Sequence, residues 1–147
     1  MCVPNVLRFG FGRITLSDGA VIVLRIAIVS VKKLNDFSPF GGVNLAVKVV
    51  GGVSLAEIPE ELKRVVADKP VTSPDKPPRD GWEYVEIREQ EPAFEEAEVV
   101  VDGRKFVVRV EAEALMVVRN LSYRTEAGEP MYVVNWVNKV RWRPAGE

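Results

Sequence analysis

Residues 43–49 read VNLAVKV, and residues 134–140 read VNWVNKV. Each phrase closes a longer series that runs in the same order. An Asp-Gly pair stands upstream of each, Asp18-Gly19 in the first series and Asp102-Gly103 in the second, and each pair separates two apolar runs. Asp-Gly in that setting predicts a β-hairpin, because a type I′ turn needs positive φ at both central residues. Setting Asp18 on Asp102, a shift of 84 residues, brings Val23 onto Val107, Arg25 onto Arg109 and Ile26 onto Val110. The shift is even, so a residue facing inward in one hairpin strand faces inward in the other. Asp36-Phe37-Ser38 then falls on Asn120-Leu121-Ser122, the second loop runs seven residues longer, and Asn44, Lys48 and Val49 fall on Asn135, Lys139 and Val140. The series predicts an internal duplication of one hairpin-loop-strand unit, residues 6–50 and 95–143.

Three strands bury one face poorly on their own. Two such units related by a pseudo-twofold bury it against each other. The expected fold is therefore mainly β, a β-rich α+β single domain over residues 1–147. It is a six- to seven-stranded antiparallel barrel or sandwich with one short helix between the units. Close to one residue in five is Val, and β-branched residues favour strands. "VLRFGFGRITLS" reads as one strand. "AVIVLRIAIVSVKKL" is apolar on both faces, as a covered central strand would be. Between the units, residues 55–67 read as a helix. Ser54 and Glu57 have capping-box spacing, Pro59 falls in the first turn, and Leu62, Val65 and Val66 form an apolar stripe. Residues 68–81 form a Pro-rich loop, and residues 82–89 alternate as a strand with one wet face.

Composition narrows the chemistry. There is no His, so the usual base for a Ser or Cys nucleophile is missing. The single Cys, Cys2, permits no intrachain disulfide and, with His absent, no Cys/His zinc site. The acidic stretch at residues 89–98 has no ordered ligand loop for Ca²⁺, and no Gly-rich phosphate loop occurs. No catalytic residue, metal ligand or cofactor is assigned. The longest apolar run carries Arg25 and is too short to span a bilayer, and the first residues lack a signal-peptide pattern. The expectation is a soluble, cytoplasmic protein. Absent His, a single Gln at Gln90 and 28% charged residues lean towards a thermophile.

The net charge of −1 conceals a basic–acidic–basic layout of +4, −7 and +2 over residues 1–50, 51–100 and 101–147. Arg25 and Arg109 stand mid-strand among apolar residues. Such a guanidinium needs a carboxylate partner, for which Glu111 and Glu113 share the face of Arg109, or else the two arginines together clamp a small anion. Lys139, Arg141 and Arg143 alternate with aromatics in "NWVNKVRWRP", placing Tyr132, Trp136 and Trp142 on the opposite strand face. "RFGFGR" alternates Phe9 and Phe11 between Arg8 and Arg13, although it lacks the Gly and the V-x-F of an RNA-recognition strand.

Three functional readings follow. The leading one is a non-enzymatic binding module that recognises a protein partner, or itself, through the loops at residues 68–81 and 123–130. The second is a nucleic-acid-binding β-barrel using Arg8, Arg13, Lys139, Arg141 and Arg143. The third is an enzyme or small-anion sensor centred on Arg25 and Arg109.

Overall fold

The computed structural model describes residues 3–146; Cys2 lies outside them. Nine strands and one short helix follow in order: β1 (Asn5–Gly10), β2 (Gly12–Leu16), β3 (Val21–Leu34), β4 (Asn44–Glu57), α1 (Glu60–Val66), β5 (Trp82–Val85), β6 (Ile87–Glu91), β7 (Ala93–Val101), β8 (Arg104–Asn120) and β9 (Met131–Pro144). All strand pairings are antiparallel, and they form two sheets rather than a closed barrel. One sheet runs β4-β3-β2-β6. In the other, β1 pairs β7, β7 pairs the first half of β8, β5 pairs the end of β8, and β9 pairs β8 along its opposite edge.

Period-two alternation decides which side chains face the space between the sheets. Leu24, Ile26 and Ile28 of β3 meet Ala97 and Val99 of β7 and Phe106, Val108 and Val110 of β8 in one buried cluster. A second cluster joins Ile14 and Leu16 of β2 to Val117 of β8 and Val134 of β9. The long β3 is buried on its inner face and half-buried on its outer face, with Arg25 on the latter.

Local chemistry departs from the sequence expectation at several points. The stretch expected as one strand breaks at Phe11, between two glycines. β1 pairs β7 in one sheet while β2 pairs β3 and β6 in the other. The two Asp-Gly turns differ. Asp102 (φ 51°) and Gly103 (φ 76°) are both positive, as a type I′ turn requires, whereas at the first turn only Gly19 is positive (φ 90°). There Leu16 N donates to Ala20 O and Gly19 N to Leu16 O, which closes a longer loop with Gly in the left-handed position.

The expected helix at 55–67 begins later. Ser54 and Glu57 lie in β4, pairing with Val23 and Val21, and the helix starts at Glu60 with Pro59 as its N-cap and no side-chain cap. Strand pairing over the whole length of β3 outweighs the capping-box pattern. Of the expected apolar stripe only Val66 is buried, while Val65 is exposed. The strand expected at 82–89 is two strands, β5 and β6, which belong to different sheets.

Candidate protein-binding surface

The two mid-strand arginines are each held by a carboxylate. Arg25 lies 3.7 Å from Glu95 Oε2, and its guanidinium stacks on Phe9, 3.6 Å from the ring centroid. Glu95 is 1% exposed, and its other oxygen accepts the backbone N–H of Ile28 at 2.8 Å. Arg109 donates to Glu96 at 2.9 Å and to Glu111 at 2.8 Å, and sits over the Phe94 ring. Glu113, the other expected partner, pairs with Lys139 instead. Glu95 and Glu96 are neighbours on β7 and leave opposite faces of the strand. The two guanidiniums therefore approach β7 from opposite faces, each already bound to a carboxylate.

The residues expected to hold nucleic acid divide between the sheets. Arg13 is on β2 and lies 3.6 Å from Glu57. Arg8, Lys139, Arg141 and Arg143 share the outer face of the other sheet. The strand registers align Arg8, Glu96, Arg109 and Arg141 in one row across β1, β7, β8 and β9. Arg8 holds Glu96 through two bonds of 2.9 and 3.2 Å, and Arg141 lies 3.7 Å from Glu111. The Glu96 carboxyl is lowered to about 2, first by the Arg8 hydrogen bond and then, against the opposing effect of burial, by Arg109. Arg109 likewise lowers Glu111. Positive and negative groups thus alternate and largely neutralise one another. Trp136 and Trp142 pack against the buried core, so the aromatics and the basic residues of β9 lie on opposite faces.

The two loops singled out by the sequence meet each other. Thr72 N donates to Arg124 O at 2.8 Å, Arg124 N to Pro70 O at 2.9 Å, and Arg124 Nε to Lys69 O at 2.8 Å. Within the second loop, Thr125 N donates to Glu129 O and Gly128 N to Thr125 O. Together with the ends of β4 and β9 they enclose a groove of about 350 Å³. Its walls are mostly apolar and include Val53 and Leu55 of β4, Pro74 and Pro77 of the first loop, and Met131 and Val133 of β9. Tyr132 also lines it, but the Tyr132 hydroxyl is committed to Asp18 at 2.7 Å. Burial, reinforced by that carboxylate, raises the Tyr132 hydroxyl well above the ordinary phenol range.

One wall of the groove is a free strand edge. β4 ends its sheet and pairs only β3. Between Lys48 and Glu57 it carries no charge, reading VVGGVSLA. Val50 is 51% exposed, and the outward side of Gly52 has no neighbour within 4 Å. Sequence reasoning missed this edge because it gave residues 55–57 to the helix. The signal was present in a long uncharged run without the Lys or Pro that usually blunts an edge.

No protein-family model matches the chain, and none of the curated proteins or solved structures compared with it matches either. Among the described residues no group of three or more acidic or thiol side chains is placed to hold a metal ion, and no helix is long and apolar enough to cross a membrane.

Proposed function

We propose that this chain is a non-enzymatic protein-binding module whose contact surface is the β4 edge and the groove beside it. The observation that carries the reading is the adjacency of an uncharged, exposed strand edge and an apolar groove walled by two loops pinned to each other. An extended segment adding to such an edge gains main-chain hydrogen bonds, and alternate side chains enter the groove. Apart from Arg143, the arginines of the competing readings are engaged with carboxylates, which leaves them less to offer an anion or a nucleic acid.

The same reading takes the chain as one cytoplasmic, soluble domain made from two copies of a hairpin-loop-strand unit, with the composition of a heat-adapted protein. What supports the duplication is the order of strands. β2-β3-β4 is flanked by β6, which precedes the second hairpin, and β7-β8-β9 is flanked by β1, which precedes the first. Each long pairing also has a skip near its middle, between Ile28 and Ser30 on β3 and between Ala114 and Met116 on β8, and the β3–β4 pairing has a second one at Ala56. Arg25 opposes Gly52 and Arg109 opposes Arg141, which sets the second pairing two residues out of step with the repeated phrase. An even step leaves every side chain on its own face.

Selection of a displayed library of short extended peptides against the protein tests the function. Peptides with alternating apolar residues are expected. Their binding is lost in Val53→Asp and Pro77→Asp and kept in Tyr84→Asp, a change at an exposed site away from the groove. No enrichment, or binding indifferent to Val53→Asp, rejects the reading.

A further inference from the structure

We propose that the partner of the β4 edge is β4 of a second copy of the chain, paired antiparallel about a twofold axis through Gly52. The inference rests on the reading of this edge as a protein contact and names the occupant.

The five outer strands of the two sheets are not protected alike. β9 carries Lys139, Arg141 and Arg143, β6 carries Arg88, Glu89 and Glu91, β1 carries Arg8, and the short β5 carries Glu83. β4 and β9 each present eight consecutive residues without charge, Val49–Ala56 and Met131–Asn138, and within its own strand only the run of β4 is closed by opposite charges, Lys48 at one end and Glu57 at the other. A bare edge of that length is an open template for pairing.

The geometry then selects a register. Two identical antiparallel strands related by a twofold normal to the sheet oppose residues whose side chains share a face, so the axis passes through a residue. Outward-facing residues of β4 are those paired with the outer face of β3: Lys48 with Ser30, Val50 with Ala27, Gly52 with Arg25 and Ser54 with Val23. A bulge at Ala56, between the pairs Val21–Glu57 and Ile22–Leu55, turns Glu57 onto that same outward face. With the axis at Gly52, Val50 opposes the partner's Ser54, Gly51 opposes the partner's Val53, and Lys48 meets the partner's Glu57. By symmetry the Lys–Glu pair forms twice. An axis at Gly51 or at Val53 sets both charges against uncharged residues.

The inward face fits as well. Val49 faces inward opposite Ile28, and in this register it lies beside the partner's Leu55, at the mouth of the apolar groove. At the axis no side chain obstructs approach, because Gly52 has only open space on its outward side.

The test is sedimentation of the full chain over a wide concentration range, with three variants. The wild type is expected to dimerise reversibly. Lys48→Glu opposes two carboxylates at each end and weakens the dimer about tenfold or more, and Lys48→Glu/Glu57→Lys recovers it. Gly52→Cys, in a Cys2→Ser background, cross-links into a disulfide dimer on mild oxidation, because directly opposed strand residues lie within disulfide reach. Tyr84→Cys in the same background does not. A chain that stays monomeric throughout, or a dimer that Lys48→Glu leaves intact or Gly52→Cys fails to cross-link, overturns the proposal. The peptide selection keeps the two readings apart. A monomer that still enriches groove-binding peptides removes only the self-pairing, and a monomer that enriches none removes both.

Discussion

The Gln90 side chain forms two hydrogen bonds with the backbone of Ala114: its amide nitrogen donates to Ala114 O, and its amide oxygen accepts from Ala114 N, both at 2.9 Å. On that edge of β8, β7 pairs only as far as Ala112 and β5 begins at Val117. The chain between β5 and β7 has crossed to the other sheet as β6. A single side chain imitates the missing strand. Gln is the residue suited to this, since its amide has the donor and acceptor of a peptide group. Gln90→Leu leaves a donor and an acceptor without partners in a half-buried site and is expected to cost about 1–3 kcal/mol. Chemical denaturation of Gln90→Leu and Gln90→Glu checks this. The Glu variant, whose carboxylate faces Ala114 O, should recover stability in acid once its carboxyl can donate.

Glu95 is a second internal bond-maker. It caps the Ile28 N–H and pairs with Arg25 while buried. Glu95→Ala removes both interactions, strips the Ile28 N–H of its acceptor and is expected to lower stability by about 1–3 kcal/mol. Arg25→Ala leaves the Ile28 bond in place and should cost less. Thermal unfolding of the two variants ranks them, and equal losses would reject the assignment of Ile28 as the main partner.

Acid should act through Glu96. Its folded pKa, about 2, lies below the ordinary value near 4.3. A depressed carboxylate stabilises the fold above its unfolded pKa, and that contribution is lost as pH falls through the folded value. Wild-type stability should therefore drop between about pH 4 and pH 2. In Glu96→Gln the drop should shrink, as read from denaturant midpoints across that range.

Gly51 and Gly52 are adjacent but not equivalent. A side chain at Gly51 would meet Ile26 and Trp136 at 3.0 Å, while one at Gly52 meets nothing. Gly51→Val should destabilise by about 1–3 kcal/mol through overpacking. Gly52→Val should stay within about 0.5 kcal/mol of the wild type. Reversal of that order in calorimetry would place the inner face of β4 wrongly.

The basic outer face should not retain a single-stranded oligonucleotide in a filter assay at moderate salt, because its cations are interleaved with Glu96, Glu111 and Glu113. Retention lost in Arg141→Ala/Arg143→Ala would instead favour a nucleic-acid partner.

Much of this architecture is legible in the sequence. Valine-rich alternation and the two Asp-Gly pairs predict antiparallel hairpins, and β2–β3 and β7–β8 are those hairpins. Alternation in "AFEEAE" also carries a signal. Glu95 falls on the same face as Ala93 and Ala97, both buried, and only its neighbours Phe94 and Glu96 turn outward. Acidity alone does not show this; the period of two does. The break at Phe11 and the late start of α1 were not readable. Each is decided by a strand distant in sequence, β7 for the first and β3 for the second, and local propensity yields to that pairing. The groove has the same origin, since contact between the loops at 68–81 and 123–130 leaves no mark in either loop alone.

The crossed placement of β1 and β6 bears on how the chain comes into being. During synthesis the first hairpin emerges early, yet β2 lacks its outer neighbour until β6 is made, and β1 has no partner at all before β7. The N-terminal third must therefore wait, with apolar surface uncovered, until residue 101 has cleared the ribosome. Neither sheet can be completed without chain from the other, so folding is expected to be all-or-none and to follow translation rather than accompany it. Its rate belongs with those of other non-local β topologies, roughly milliseconds to seconds.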